Sequence, residues 1–168
     1  MADKTINKIY HLADLHIRNL KRHKEYREVF NKFLKQVKKD NIEDSIIYIA
    51  GDIAHAKTEM SPELVQEISW FLTECSKLRE VVLITGNHYC NLNNKYRLDV
   101  LTPIIENLNN PRIHYLRDTG IYPIHNLWIR CGILVRNSTL TYCIIYVETV
   151  FHRIISSQNL VTVISFAL

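Results

Sequence analysis

Residues 45–55 read SIIYIAGDIAH, an uninterrupted apolar run from Ile46 to Ala50 that ends on Gly51-Asp52 and reaches His55 three residues later. A strand with one face in water alternates apolar and polar residues. A run without alternation belongs to a strand covered on both faces, as in a parallel sheet. Two further segments share this form. Residues 6–15 (INKIYHLADL) lead into Asp14 and His16, and residues 80–85 (EVVLIT) lead into Gly86-Asn87-His88.

A helical pattern follows each run. Tyr26, Phe30, Phe33, Leu34 and Val37 recur at three- and four-residue intervals and predict a helix over 24–39. Ser61-Pro62 is a helix start, serine as cap and proline at the first helical position. Leu64, Ile68, Phe71, Cys75 and Leu78 mark that helix's buried face. A third helix is expected over 95–108, burying Leu98, Leu101, Ile104, Ile105 and Leu108. Strand–helix alternation of this kind makes βαβ units, an α/β sheet with helices laid over it. The polar pairs Asp14/His16, Asp52/His55 and Asn87/His88 all fall just past a strand's carboxyl end, where open α/β sheets build their sites.

Composition is consistent with a globular domain. The chain has 168 residues, 47% apolar and 23% charged, enough for one domain with a real core. Cys75, Cys90, Cys131 and Cys143 form no Cys-x-x-Cys pair, and the polar residues 1–8 lack the apolar run of a secretory leader. A soluble protein in a reducing intracellular setting is expected, its cysteines small core residues. Between Arg18 and Lys39 nine Lys/Arg stand against two Glu, a larger local excess than the +4 of the whole chain. Such a stripe suits a polyanion, although taken by itself it is more often a solvated helix face.

Asp14-x-His16, Gly51-Asp52-x-x-His55 and Gly86-Asn87-His88 supply carboxylate, imidazole and amide oxygen together. This mixed O/N set suits Mn²⁺, Fe²⁺ or Zn²⁺. A central carboxylate such as Asp52 can bridge two ions about 3.5–4 Å apart, a spacing that clamps a phosphate and activates a water. Asp-x-His and Gly-Asp alone are common capping and turn patterns, and Gly-Asn-His, though rarer, can alone be a left-handed turn. Together, in this order and each at a strand end, they point to a metal site.

The three motifs resemble those of the calcineurin-like metallophosphoesterases, D-x-H, G-D-x-x and G-N-H-D. HLADLHIRNLKRHKEYR, YIAGDIAHAK and LITGNH are most similar to the SbcD-like nucleases of DNA double-strand-break repair, viral and phage versions included. The resemblance covers about residues 6–130. It implies the N-terminal half of a four-layer αββα domain over 1–132, followed by a β-prone tail over 133–168 that is truncated, frame-shifted or divergent. It implies two divalent ions, manganese first and iron or zinc otherwise. Asp14 and His16 would hold the first, Asp52 would bridge both, and Asn87 would bind the second. His88 would face the scissile phosphate, with His55 near the substrate. DNA on the Arg18–Lys39 segment and an SbcC-like ATPase are the implied partners, and further copies of the chain are open.

Two departures accompany the resemblance. Tyr89 replaces the motif's last Asp, which orients the neighbouring histidine, a change expected to cost roughly 10–100-fold. The family's later histidine motif has no counterpart in His114, His125 or His152, and the first two lie in a strand–turn–strand region as surface histidines. A nuclease, a phosphomonoesterase or protein phosphatase, and a non-catalytic docking module all remain open on this reading.

Overall fold

The computed structural model describes residues 4–55, 59–84, 98–136, 138–147 and 162–166, with side chains as far as Cys131. In chain order the elements are β1 (Lys8–Ala13), α1 (His23–Asp40), β2 (Ser45–Ala50), α2 (Pro62–Leu78), β3 (Glu80–Ile84), α3 (Thr102–Leu108), β4 (Ile113–Leu116), β5 (Gly120–Ile124), β6 (Leu127–Arg136), β7 (Ser138–Val147) and β8 (Thr162–Phe166). Strands β4-β3-β2-β1-β8 form a five-stranded sheet, parallel at every pairing. Strands β5-β6-β7 form a second, antiparallel sheet.

Alternate residues of the central strands enter two different cores, as the pleat requires. Tyr10, Leu12, Ile47, Ile49, Val81 and Leu83 point to the helical layer, where Phe30, Phe33, Ile68, Phe71 and Leu101 meet them. Ile9, Ile46, Tyr48, Val82 and Ile84 face the other way, onto Ile124, Leu127, Ile129 and Cys131 of the second sheet. The described residues thus form three layers, helix on sheet on sheet. This explains the unbroken apolar run of β2.

Helix α1 packs through Phe30, Phe33 and Val37, with Phe30 stacked on Phe71 of α2 at 4.0 Å between ring centroids. Its last residue, Asp40, accepts from Lys8 Nζ at 2.7 Å and from the Tyr10 hydroxyl at 2.9 Å. Lys8 and Tyr10 belong to the start of β1, so α1 runs back along the sheet and its first turn sits at the strands' carboxyl edge. Ser61 caps α2 as expected, its Oγ accepting from Leu64 N.

The third helix departs from expectation. It begins at Thr102, residues 98–101 are not helical, and Leu98 is 57% exposed; residues 95–97 lie outside the described residues. The reason is Asp99, whose buried carboxylate accepts from the backbone N–H of Leu101 and Thr102 and from the hydroxyls of Thr102 and Tyr115. A side chain that takes the backbone N–H groups two and three residues on competes with the helical ladder, so the helix begins after Asp99.

His114 and His125 are also placed differently from a surface reading. Both are partly buried and donate through Nε2 to the two oxygens of Glu80, at 2.9 Å and 3.0 Å. His125 lies in the β5–β6 turn, so this cluster pins the second sheet to the amino end of β3 and β4. Burial raises the Glu80 carboxyl, but the two imidazoles outweigh it and hold the group below the usual carboxylate range. Its stabilisation is therefore complete above the ordinary value of 4.5 and fades as pH falls through the lower, folded value. In acid titrations of stability, Glu80→Gln is expected to flatten the limb below that point, which thermal melts across pH 3–6 would show. An unchanged acid limb would mean that Glu80 does not hold the sheets together.

Cys75 is a buried thiol that burial pushes well above its ordinary range, and Cys131 is buried too. Both suit small core residues. Among the described residues no helix is long and apolar enough to cross a membrane.

Candidate metal centre

Leaving β1, the backbone turns left-handed at Asp14 (φ 54) and again at His16 (φ 43); leaving β2, it does so at Gly51 (φ 70) and Asp52 (φ 42). The conformation suits glycine and costs each L-residue roughly 1–2 kcal/mol. Hydrogen bonds between the two loops offset this. His16 N donates to Asp52 O at 2.9 Å, Ile17 N to Ile53 O at 2.8 Å, and His55 N to Ile17 O at 3.0 Å. The parallel pairing of β1 with β2 is in effect carried past the strands, through the Ile17–Ala54 bridge. Ile17, Ile53 and Ala54 are fully buried and anchor it.

This pairing brings Asp14, His16 and Asp52 together. One ligand atom from each lies within 4.8 Å of the other two. His16 Nε2 stands 3.7 Å from Asp14 Oδ1, too far for a hydrogen bond and close to the roughly 3–3.5 Å that separates two donors on one cation. Asp52 is only 9% exposed, whereas Asp14 is open to solvent. Two carboxylates and an imidazole form an O/O/N set that fits a divalent transition ion. The His55 ring lies edge-on to His16 at 5.6 Å, on the exposed rim.

Asn87 and His88, with Tyr89 beside them, lie outside the described residues. Strand β3 carries the chain to Ile84 at the same carboxyl edge, and the described residues resume at Leu98.

A cleft of about 730 Å³ opens beside the cluster, lined by Asp14, His16, His55, Arg18, Arg22 and Glu25 among others, with Glu25 3.6 Å from Arg22 Nε. The basic segment is divided in use. Arg18 and Arg22 line the cleft, while Arg27 turns inward to Glu67 of α2 (2.5 Å) and stacks on Trp70 at 3.5 Å. Lys38 and Lys39 sit in the last turn of α1, where positive charge complements the helix dipole. The stripe is thus not a single exposed face.

Three positioning contributions were not legible in the motifs. The Tyr26 hydroxyl donates to His16 O at 3.0 Å. Asn19 donates to Glu59 O at 2.9 Å and accepts from Ser61 N at 3.0 Å, tying the first loop to the start of α2. His11 stacks on Tyr48 at 5.4 Å, and burial pushes its imidazole below the ordinary value against the pull of Asp14. In sequence, Tyr26 shows only a helix-face spacing and Asn19 only a loop residue. Since Tyr26 holds the backbone that aims His16, Tyr26→Phe is expected to weaken manganese binding roughly tenfold with little change in melting temperature. Calorimetric titration checks this, and unaltered affinity would remove Tyr26 from the site's support.

Comparison with known proteins agrees with this geometry. Residues 7–157 match the calcineurin-like phosphoesterase family. The chain belongs to that family, and so to a class of metal-dependent phosphoesterases. Over 124 residues it is 49% identical to an uncharacterized protein of Acanthamoeba polyphaga mimivirus; the aligned part is 73% of this chain and 9% of that relative. The chain thus spans a small part of its viral relative's length.

Proposed function

We propose that this chain is the metal-binding part of a two-metal phosphodiesterase that cuts DNA, with manganese as the working ion. The observation that carries the reading is the convergence of Asp14, His16 and Asp52 beside a cleft that Arg18 and Arg22 also line. In this reading Asp14 and His16 bind one ion, Asp52 bridges to a second, and Asn87 completes the second site. Bound there, the two ions would lower the pKa of an attacking water and neutralise charge on the phosphate. The chain's own residues do the rest. Arg18 and Arg22 hold flanking phosphates, His88 protonates or shields the leaving oxygen, and His55 borders the substrate at the rim. An ATPase of the SbcC type is the partner the reading implies.

A substrate panel tests it: duplex and single-stranded DNA, a chromogenic phosphodiester and a chromogenic phosphomonoester, each with manganese. Diester cleavage, together with DNA binding that falls steeply with salt, supports the nuclease. Turnover of the monoester alone would replace it with a phosphatase. Tyr89, standing where the family motif has Asp, favours a second reading, a docking module without turnover; no hydrolysis of any substrate by a metal-loaded chain would decide for it.

A further inference from the structure

The loop between β1 and α1 carries a feature that neither the metal cluster nor the core explains. Leu20 is 71% exposed, has a left-handed backbone (φ 52) and stands between Arg18 and Arg22, both of which line the cleft. Arg22 is left-handed as well (φ 60). An aliphatic side chain in water gains nothing there, and a left-handed leucine carries strain that glycine or asparagine would relieve. Strain of this kind collects where a loop is shaped for a task. The loop is also held from both sides. Asn19 is bonded to Glu59 and Ser61, and His23 Nε2 lies 2.7 Å from Arg18 O. Arg18, Lys21 and Arg22 flank Leu20 in the chain, and the nearest acid, Glu25, stands 3.6 Å from Arg22 Nε in an exposed pair that solvent screens.

We infer that residues 18–22 are a duplex-engaging finger: Arg18, Lys21 and Arg22 grip the phosphate backbone while Leu20 wedges against a base step and unstacks it beside the metal cluster. Arginine and lysine supply attraction that is indifferent to sequence. An apolar side chain pressed between bases is how proteins pry a stack open. Such a wedge would give a duplex end access to a site that accepts one strand. The inference rests on the DNA reading above and adds the residue that separates duplex from single strand.

The test uses the whole chain, without metal so that nothing is cut, at low ionic strength. The probes are a duplex with 2-aminopurine in its terminal pairs and the matching single strand. Leu20→Asn keeps a residue that tolerates the left-handed backbone, so the fold is preserved and a melt will verify it. Wild type is expected to raise the 2-aminopurine signal. Leu20→Asn should lose that rise and bind duplex about tenfold more weakly, with single-strand affinity unchanged. Leu20→Phe should restore unstacking, and Ile121→Ala, which alters a residue 60% exposed on β5, should behave as wild type. Equal unstacking by wild type and Leu20→Asn would overturn the wedge and leave the nuclease reading standing, as would an equal loss in Ile121→Ala. Wild type binding neither probe would sink the DNA reading and the wedge with it.

Discussion

Asp52→Asn is expected to lower manganese affinity by more than ~100-fold and phosphodiester turnover by on the order of 10³-fold, with the melting temperature in chelator unchanged. Asp52 is the most buried member of the cluster and the one whose loop is bonded to the loop of the other two. In the proposed two-ion site, losing the Asp52 carboxylate would remove a ligand from both ions. It therefore exceeds the 10–100-fold seen when a supporting residue is lost. Several kcal/mol of charge stabilisation at the phosphate go with the metal, and 1.36 kcal/mol is a factor of ten in rate. Asparagine is the informative replacement, because it accepts φ 42 where alanine would strain the turn and mix misfolding with ligand loss. Calorimetry and a diester assay on the same preparation measure both effects. Retained affinity would show that the ions bind elsewhere.

The second large effect is on stability. Asp99→Ala is expected to cost about 3–5 kcal/mol, because it strands four hydrogen-bond donors, two from the backbone, and leaves Arg117 without the carboxylate 3.7 Å from it. Asp99→Asn keeps an acceptor for the backbone donors and should cost less than half as much. Denaturant melts will rank the two. If both variants lose under 1 kcal/mol, Asp99 does not organise the start of α3.

Most of the fold could be read because its signals are local. The run Ile46–Ala50 is apolar on both pleat faces since helices cover one and the second sheet the other. The spacing of Phe30, Phe33 and Val37 states which side of α1 is buried, and Ser61-Pro62 marks a helix start within two residues. What escaped depends on partners far along the chain. Leu98 belongs in period to α3, yet a carboxylate at Asp99 collects the donors that would extend it. His114 and His125 carry no local mark of their shared bond to Glu80, 34 and 45 residues earlier. Sequence shows the second sheet only as β-prone segments, and nothing local says that β8 should lie beside β1.

The candidate site divides in the same way. Asp14, His16 and Asp52 were legible because each follows a strand whose direction the parallel sheet determines. Their left-handed turns, the bonding of one loop to the other, and the hold of Tyr26 on His16 are tertiary facts without periodicity. Charge counting suggested a stripe from Arg18 to Lys39. Only the geometry separates Arg18 and Arg22 at the cleft, the latter in an exposed pair with Glu25, from Arg27, which the buried Glu67 and Trp70 engage.

Anomalous scattering at the manganese edge, from crystals of the whole chain grown with manganese, is the most direct trial of the central claim. A peak within bonding distance of Asp14, His16 and Asp52 is expected, lost in Asp52→Asn crystals. Manganese density at another cluster, such as Glu80 with His114 and His125, and none among these three side chains, would contradict it.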